Sequence, residues 1–178
     1  MGQWLVYTLL ITAWVISFDA QGQGVAGCSM LGRNSAKVHN YHDAQELNLL
    51  GLVNQAHFTE DVRSLRRGSS NSLVGGDLNY TLDVFPNHFQ ALDAVSRLSI
   101  KVNQQKPTGL RCTVDGYFER AIEFQPDDAM VRMTYGLHFY RQKKLDKAVE
   151  QFEQAEKLAP ENINQTQVVG QVDRKSVV

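Results

Sequence analysis

Apolar residues in this chain recur mostly at helical spacing, and polar punctuation divides that pattern into short helices. Asp43-Ala44-Gln45-Glu46 has the form of a capping box, with Asp43 accepting from backbone amides and Glu46 reaching back. Leu47, Leu50 and Val53 follow in register and predict a helix over about 44–54. Thr59-Glu60-Asp61 supplies a second cap, with Val62 and Leu65 as its inward residues, and Gly68-Ser69-Ser70-Asn71-Ser72 ends that helix in a loop. A helix over about 77–84 should stop ahead of Pro86. Leu92 and Val95 suit the next, Phe118 and Ala121 the one after, and two well-marked helices are expected over about 128–141 and 145–158. Residues 29–42 lack any periodic apolar pattern and read as an irregular stretch. The expected class is all-α.

Three Pro–polar–polar steps punctuate the helices: Pro86-Asn87-His88, Pro126-Asp127-Asp128 and Pro160-Glu161-Asn162. The last two lie 34 residues apart and the first two 40. A period of 34 is that of a helix–turn–helix repeat, and solenoids of such units usually bind other chains rather than transform substrates. After Ala129, the residues Gly136, Phe139, Leu145, Ala148, Phe152, Ala155 and Pro160 stand where the tetratricopeptide repeat family places its small, aromatic and proline positions. The chain resembles that family here, and each match has a physical reason. Gly136 and Ala148 are small where two helices cross, Phe139 and Phe152 fill the space between helix pairs, and Pro160 stops the second helix.

The resemblance implies antiparallel helix pairs in a short right-handed solenoid. It gives a clear repeat at 127–160 and an expanded one at 87–126, whose six extra residues fall around 102–111, where Pro107-Thr108-Gly109 marks a turn. The repeat region as a whole is expected at 73–160, after an irregular region with short helices at 27–72, and the helix over about 77–84 would be the second half of an N-terminal unit or a cap. Gly170, preceded by Val169, stands 34 residues past Gly136, so 161–172 is expected to begin a further repeat. The final Asp173-Arg174-Lys175-Ser176-Val177-Val178 matches the translation of a sequencing-library adapter, and a longer natural frame is expected to diverge near Val172. The segment Gly75-Gly76-Asp77-Leu78-Asn79-Tyr80-Thr81-Leu82, with Phe85-Pro86-Asn87-His88, also resembles exported bacterial tetratricopeptide proteins, which implies compartment and fold rather than activity.

Composition narrows the field further. At 178 residues with 43% hydrophobic content the chain can bury one real core, and a net charge of −1 shows no bias toward polyanions. The basic clusters Arg63, Arg66, Arg67 and Lys101, Lys106, Arg111 have no interleaved aromatics and read as solvated faces, so nucleic acid is not an expected partner. Residues 4–18 are uncharged, short for a membrane span of about 20 residues, and fit a secretory leader. Cleavage after Ala26 would export the chain, with the periplasm as the expected compartment; an uncleaved anchor is the other reading of residues 1–26. In an oxidising compartment Cys28 and Cys112 can pair only with each other, closing a loop that stabilises by roughly 4 kcal/mol. Val25-Ala26-Gly27-Cys28 also resembles a bacterial lipobox, so acylation of Cys28 and membrane attachment through it stay open, as do free thiols.

No nucleophile elbow, phosphate loop or His-Glu-x-x-His helix is present, and no cofactor is implied. His39, His42 and Asp43 offer two or three metal ligands, but Asp43 has a better use as a helix cap and a zinc site needs three or four convergent groups. His57 and His88 are expected to pack beside or cap helices, and His138 to lie on an outward face.

The family resemblance places a concave groove on the first helices of each pair. Carried onto this chain it presents Met130, Met133, Leu137, Tyr140 and Arg141 from the clear repeat and Asn87, Gln90, Asp93, Arg97 and Lys101 from the expanded one. One half is apolar and adaptable, the other polar with two cations, which suits a peptide with an apolar face and an acidic or carboxy-terminal group. Burial against a neighbouring repeat is the competing reading of the same residues. The expected function is a non-catalytic, exported protein–protein interaction module. An auxiliary subunit of an envelope polysaccharide or cell-wall enzyme, and a metal-binding periplasmic protein using His39 and His42, are the alternatives.

Overall fold

The computed structural model describes Cys28, residues 38–69 and residues 72–158. Residues 1–27, which hold the expected leader and the first three positions of the lipobox-like run, together with Pro160, the register mark at Gly170 and the final six residues therefore lie outside the described residues. The described residues are all-helical. A 3₁₀ turn, Ala44–Glu46, leads into α1, Leu47–His57. Then come α2, Glu60–Arg63, α3, Val74–Val84, and α4, Phe89–Val102. The last three are α5, Val114–Phe124, α6, Ala129–Arg141, and α7, Leu145–Leu158. Among the described residues no helix is long and apolar enough to cross a membrane.

Polar caps set where these helices begin. Asp43 accepts from Gln45 N, Thr59 from Val62 N, Thr113 from Gly116 N and Asp128 from both Met130 N and Val131 N. The capping box is only half formed: the Glu46 carboxylate turns to His39, 2.8 Å away, instead of back to Asp43. α3 begins three residues earlier than its apolar pattern suggests, because Gly75 can lie directly on the Thr108–Gly109 turn. A Cβ on Gly75 would meet the Thr108 carbonyl at 2.2 Å, so only a glycine permits this approach. The two proline corners are built alike. Phe85 N and Gln125 N each close on the carbonyl four residues back at 2.9 Å, and His88 and Asp128 then cap the next helix.

Packing follows chain order. α6 lies chiefly along α7 and also touches α4 and α5, α4 meets α3 and α5, α1 rests on α3, and α2 sits on α3 and α4. One apolar core runs from Phe58, Val62 and Leu65 through Leu82, Leu92 and Val95 to Phe118, Tyr135 and Phe139. Phe118 stacks on Tyr135 at 4.5 Å between centroids, and Tyr135 leans on Phe139 at 4.3 Å. A buried charge pair crosses from α5 to α3, with Arg120 Nη1 donating to Asp83 Oδ1 at 3.0 Å. Cys28 and Cys112 form a disulfide with Cα atoms 5.6 Å apart, both sulfurs inside the core. Of the alternatives for Cys28, the structure thus has the pairing.

The crossing of α6 and α7 depends on Gly136 as the repeat pattern anticipated. A Cβ there would lie 2.4 Å from the Phe152 ring. Gly136→Val should therefore destabilise by about 1–3 kcal/mol in urea unfolding, the usual cost of overpacking. Phe152→Ala in the same chain should recover part of that loss, a non-additivity that marks direct contact.

Candidate interaction surface

The two proline corners meet in a buried polar junction. Asn87, wholly buried, donates from Nδ2 to Asp128 Oδ2 at 3.0 Å and to Asn40 Oδ1 at 2.8 Å, while its own Oδ1 accepts from Tyr41 N at 2.9 Å. His42 Nε2 donates to the same Asp128 oxygen at 3.0 Å. The ends of α4 and α6 and the segment before α1 are thereby joined through side chains. Burial of Asp128 opposes its charge, but the hydrogen bonds from His42 and Asn87 outweigh burial and hold its carboxyl below the ordinary value. The same bond lifts the His42 imidazole above its ordinary value against partial burial.

His88 has the opposite character. Its Nδ1 accepts from Ala91 N at 3.3 Å and its Nε2 faces Asn54 Oδ1 at 3.1 Å, which fixes the neutral Nε2–H tautomer. Tyr41 and Phe58 pack on the ring at 4.4 and 4.8 Å. Burial pushes its pKa down to about 3.

The ten groove residues are distributed unevenly. Gln90 and Lys101 are exposed; Asp93, Arg97, Met130, Met133, Tyr140 and Arg141 are half-buried; Asn87 and Leu137 are buried. Asn87 thus serves the corner junction and Leu137 the interior, and neither side chain is offered on a surface. Asp93 joins α4 to α6, accepting from Arg97 Nε and from Arg141 Nη2, each at 2.7 Å. Arg141 Nη1 also donates to Ser96 Oγ at 3.1 Å. Arg97 Nη2 and Lys101 Nζ reach away from α6 to the carbonyls of Arg63 and Leu65, both at 2.9 Å. On α6, Met130, Met133, Tyr140 and Arg141 stay half-buried, and on α4 Gln90 is exposed.

The residues considered for metal are carried apart. His39 lies against Glu46, His42 against Asp128, and Asp43 caps the turn before α1. Among the described residues no group of three or more His, Cys, Asp or Glu side chains is placed to hold a metal ion. His138, expected on an outward face, is buried, with Nδ1 2.9 Å from Ser96 Oγ and Nε2 3.1 Å from Asp115 Oδ1. That contact holds the Asp115 carboxyl below its ordinary value. The signal was present: Val131, Tyr135 and His138 share one helical face, and α4, α5 and α7 enclose α6 too fully to leave it outside.

Comparison with protein-family models, with curated proteins and with solved structures finds no match for this chain.

Two measurements probe the junction. Asp128→Ala removes the α6 cap and strands Asn87, and should cost about 2–3 kcal/mol in chemical unfolding. The histidines give opposite pH signatures. The unfolded chain binds a proton near pH 6.5 that buried His88 refuses, so stability is full above that value and falls by about 2 kcal/mol between pH 7 and 5. His42, raised in the folded state, adds stability below about pH 6.5 that is lost as pH rises through its folded pKa. The acid slope of stability should flatten in His88→Asn, whatever its absolute stability, and steepen in His42→Ala.

Proposed function

We propose that this chain is an exported, non-catalytic protein–protein interaction module built from tetratricopeptide-type helix pairs. One observation supports the reading: α4 and α6, each entered through the same kind of proline corner, pack against each other. In this reading α4 and α6 are the first members of successive helix pairs, and α5 and α7, which they also touch, are the second. The 34-residue spacing and the close crossing at Gly136 support the same reading. Export rests on the apolar leader together with a core disulfide, which persists in oxidising compartments.

In this reading the partner is a peptide or protein segment that lays an apolar face along Met130, Met133 and Tyr140 and sets a polar or acidic group by Arg141. Methionines suit such a surface because their unbranched side chains adapt to varied partners. The half of the stripe on α4 is less open than the repeat pattern implies, since Arg97 and Lys101 hold main-chain carbonyls of this same chain.

Tyr140→Ala combined with Arg141→Ala should abolish capture of the partner from envelope extract while leaving helical circular dichroism intact. Retained capture by the folded double variant would remove the α6 strip from the reading. Co-capture of a glycan-acting enzyme, lost in the same variant, would turn it toward an auxiliary subunit.

A further inference from the structure

α2 has only four residues, Glu60–Arg63, and helices that short do not persist alone in water. What keeps it folded lies beneath it. Val62 is fully buried and Leu65 nearly so, both within the apolar core. At its C-terminal end, Arg97 Nη2 donates to the Arg63 carbonyl and Lys101 Nζ to the Leu65 carbonyl, each at 2.9 Å. Both cations come from α4, and they stand where the short helix carries its unsatisfied carbonyls and negative dipole end.

Arg97 and Lys101 also belong to the stripe that the repeat pattern assigns to a partner groove. The C-terminal half of that stripe therefore already holds a segment, and it is the chain's own. The mode of holding is that of a helix laid in a groove: an apolar pair three residues apart pointing inward, and charged side chains closing one end. Leu65 itself adopts φ 57°, a left-handed conformation that non-glycine residues seldom occupy. Arg66 N closes on the Asp61 carbonyl at 2.9 Å, so Leu65 is the left-handed stop of the short helix. Arg66 and Arg67 then fold back on Asp61, at 2.8 and 2.6 Å, so the strap closes on itself before the chain continues toward α3.

We infer that Thr59–Leu65 is an exchangeable resident of the α4 face. The partner that face fits is a short helix with an apolar pair three residues apart and a carboxylate-bearing C-terminus against Arg97 and Lys101. The biological use of this exchange rests on the interaction-module reading above; exchangeability is a property of this chain and is tested without any partner.

Hydrogen exchange on the full chain reads it directly, because the amides of Arg63, Ser64 and Leu65 are each bonded within the strap. They should exchange by local opening, about 100-fold faster than amides in the middle of α4, with little dependence on low urea. Lys101→Ala should speed them further and leave α6 unchanged. A fluorescent synthetic peptide of residues 57–67 should bind the full chain carrying Val62→Asp and bind wild type at least about 10-fold more weakly, since the resident segment competes. Adding Lys101→Ala should weaken peptide binding to the Val62→Asp chain. Strap amides that exchange only with α4 in global unfolding would overturn the inference, and so would a Lys101→Ala variant with unchanged exchange. Those two readings decide the matter even if Val62→Asp fails to fold; a folded Val62→Asp chain that ignores the peptide also overturns it. Exchange of the strap with no effect of Tyr140→Ala and Arg141→Ala on capture would instead sink the partner reading alone.

Discussion

The carboxylate of Asp128 is the point on which the arrangement of α4 and α6 turns. One oxygen satisfies two amides at the start of α6. The other accepts from Asn87 at the corresponding corner before α4 and from His42 ahead of α1. A buried carboxylate is tolerated only when its lone pairs are filled, so these four donors act together. Remove the carboxylate and two helix starts lose their common reference. The α6 strip keeps its position relative to Gln90 and Asp93 because this junction fixes where both helices begin. The buried part of that junction is the Asn87–Asp128 bond, with His42 closing it from the exposed side.

Much of this was legible in local pattern. Asp128 and Thr59 announce helix starts by their chemistry, and Gly136 with Ala148 announces a close crossing by its smallness. α6 and α7 accordingly fall within a residue of their expected limits. What the pattern did not carry is long-range and polar. Arg97 meets the Arg63 carbonyl across 34 positions, and Asn87 meets Asp128 across 41. Such contacts obey no period, and a main-chain carbonyl has no residue type by which to predict it. Asn87 was assigned to the groove by carrying the repeat register onto the chain, and that register cannot tell a polar residue facing a ligand from one buried for its own hydrogen bonds. The Cys28–Cys112 pairing was open by elimination, since two cysteines allow one intramolecular bond, yet sequence had no means to choose it over acylation.

Electrostatics and packing divide the surface between them. On α4, charged side chains are spent internally: Asp93 on Arg97 and Arg141, and Arg97 and Lys101 on the strap. On α6, Met130, Met133 and Tyr140 are half-buried, and Tyr140 packs against the core. Under the interaction-module proposal, a ligand at α6 would meet an apolar strip, whereas one at α4 would compete with formed hydrogen bonds. The two halves should therefore differ in how they discriminate, the first tolerant of sequence and the second demanding a specific geometry.

The disulfide also decides how this molecule would respond to pulling. Cys28 is covalently joined to the loop ahead of α5, with 84 positions between the two sulfurs. Tension entering from the N-terminal side would pass through sulfur to Cys112 and onward along α5, α6 and α7. The strap, α1, α3, α4 and the corner at Pro86 all lie inside the closed loop and would bear no direct load. Reduction would reroute the force through Asn40, Tyr41 and His42 into the Asp128 junction. The bond state of two cysteines would then determine which half of the molecule yields first.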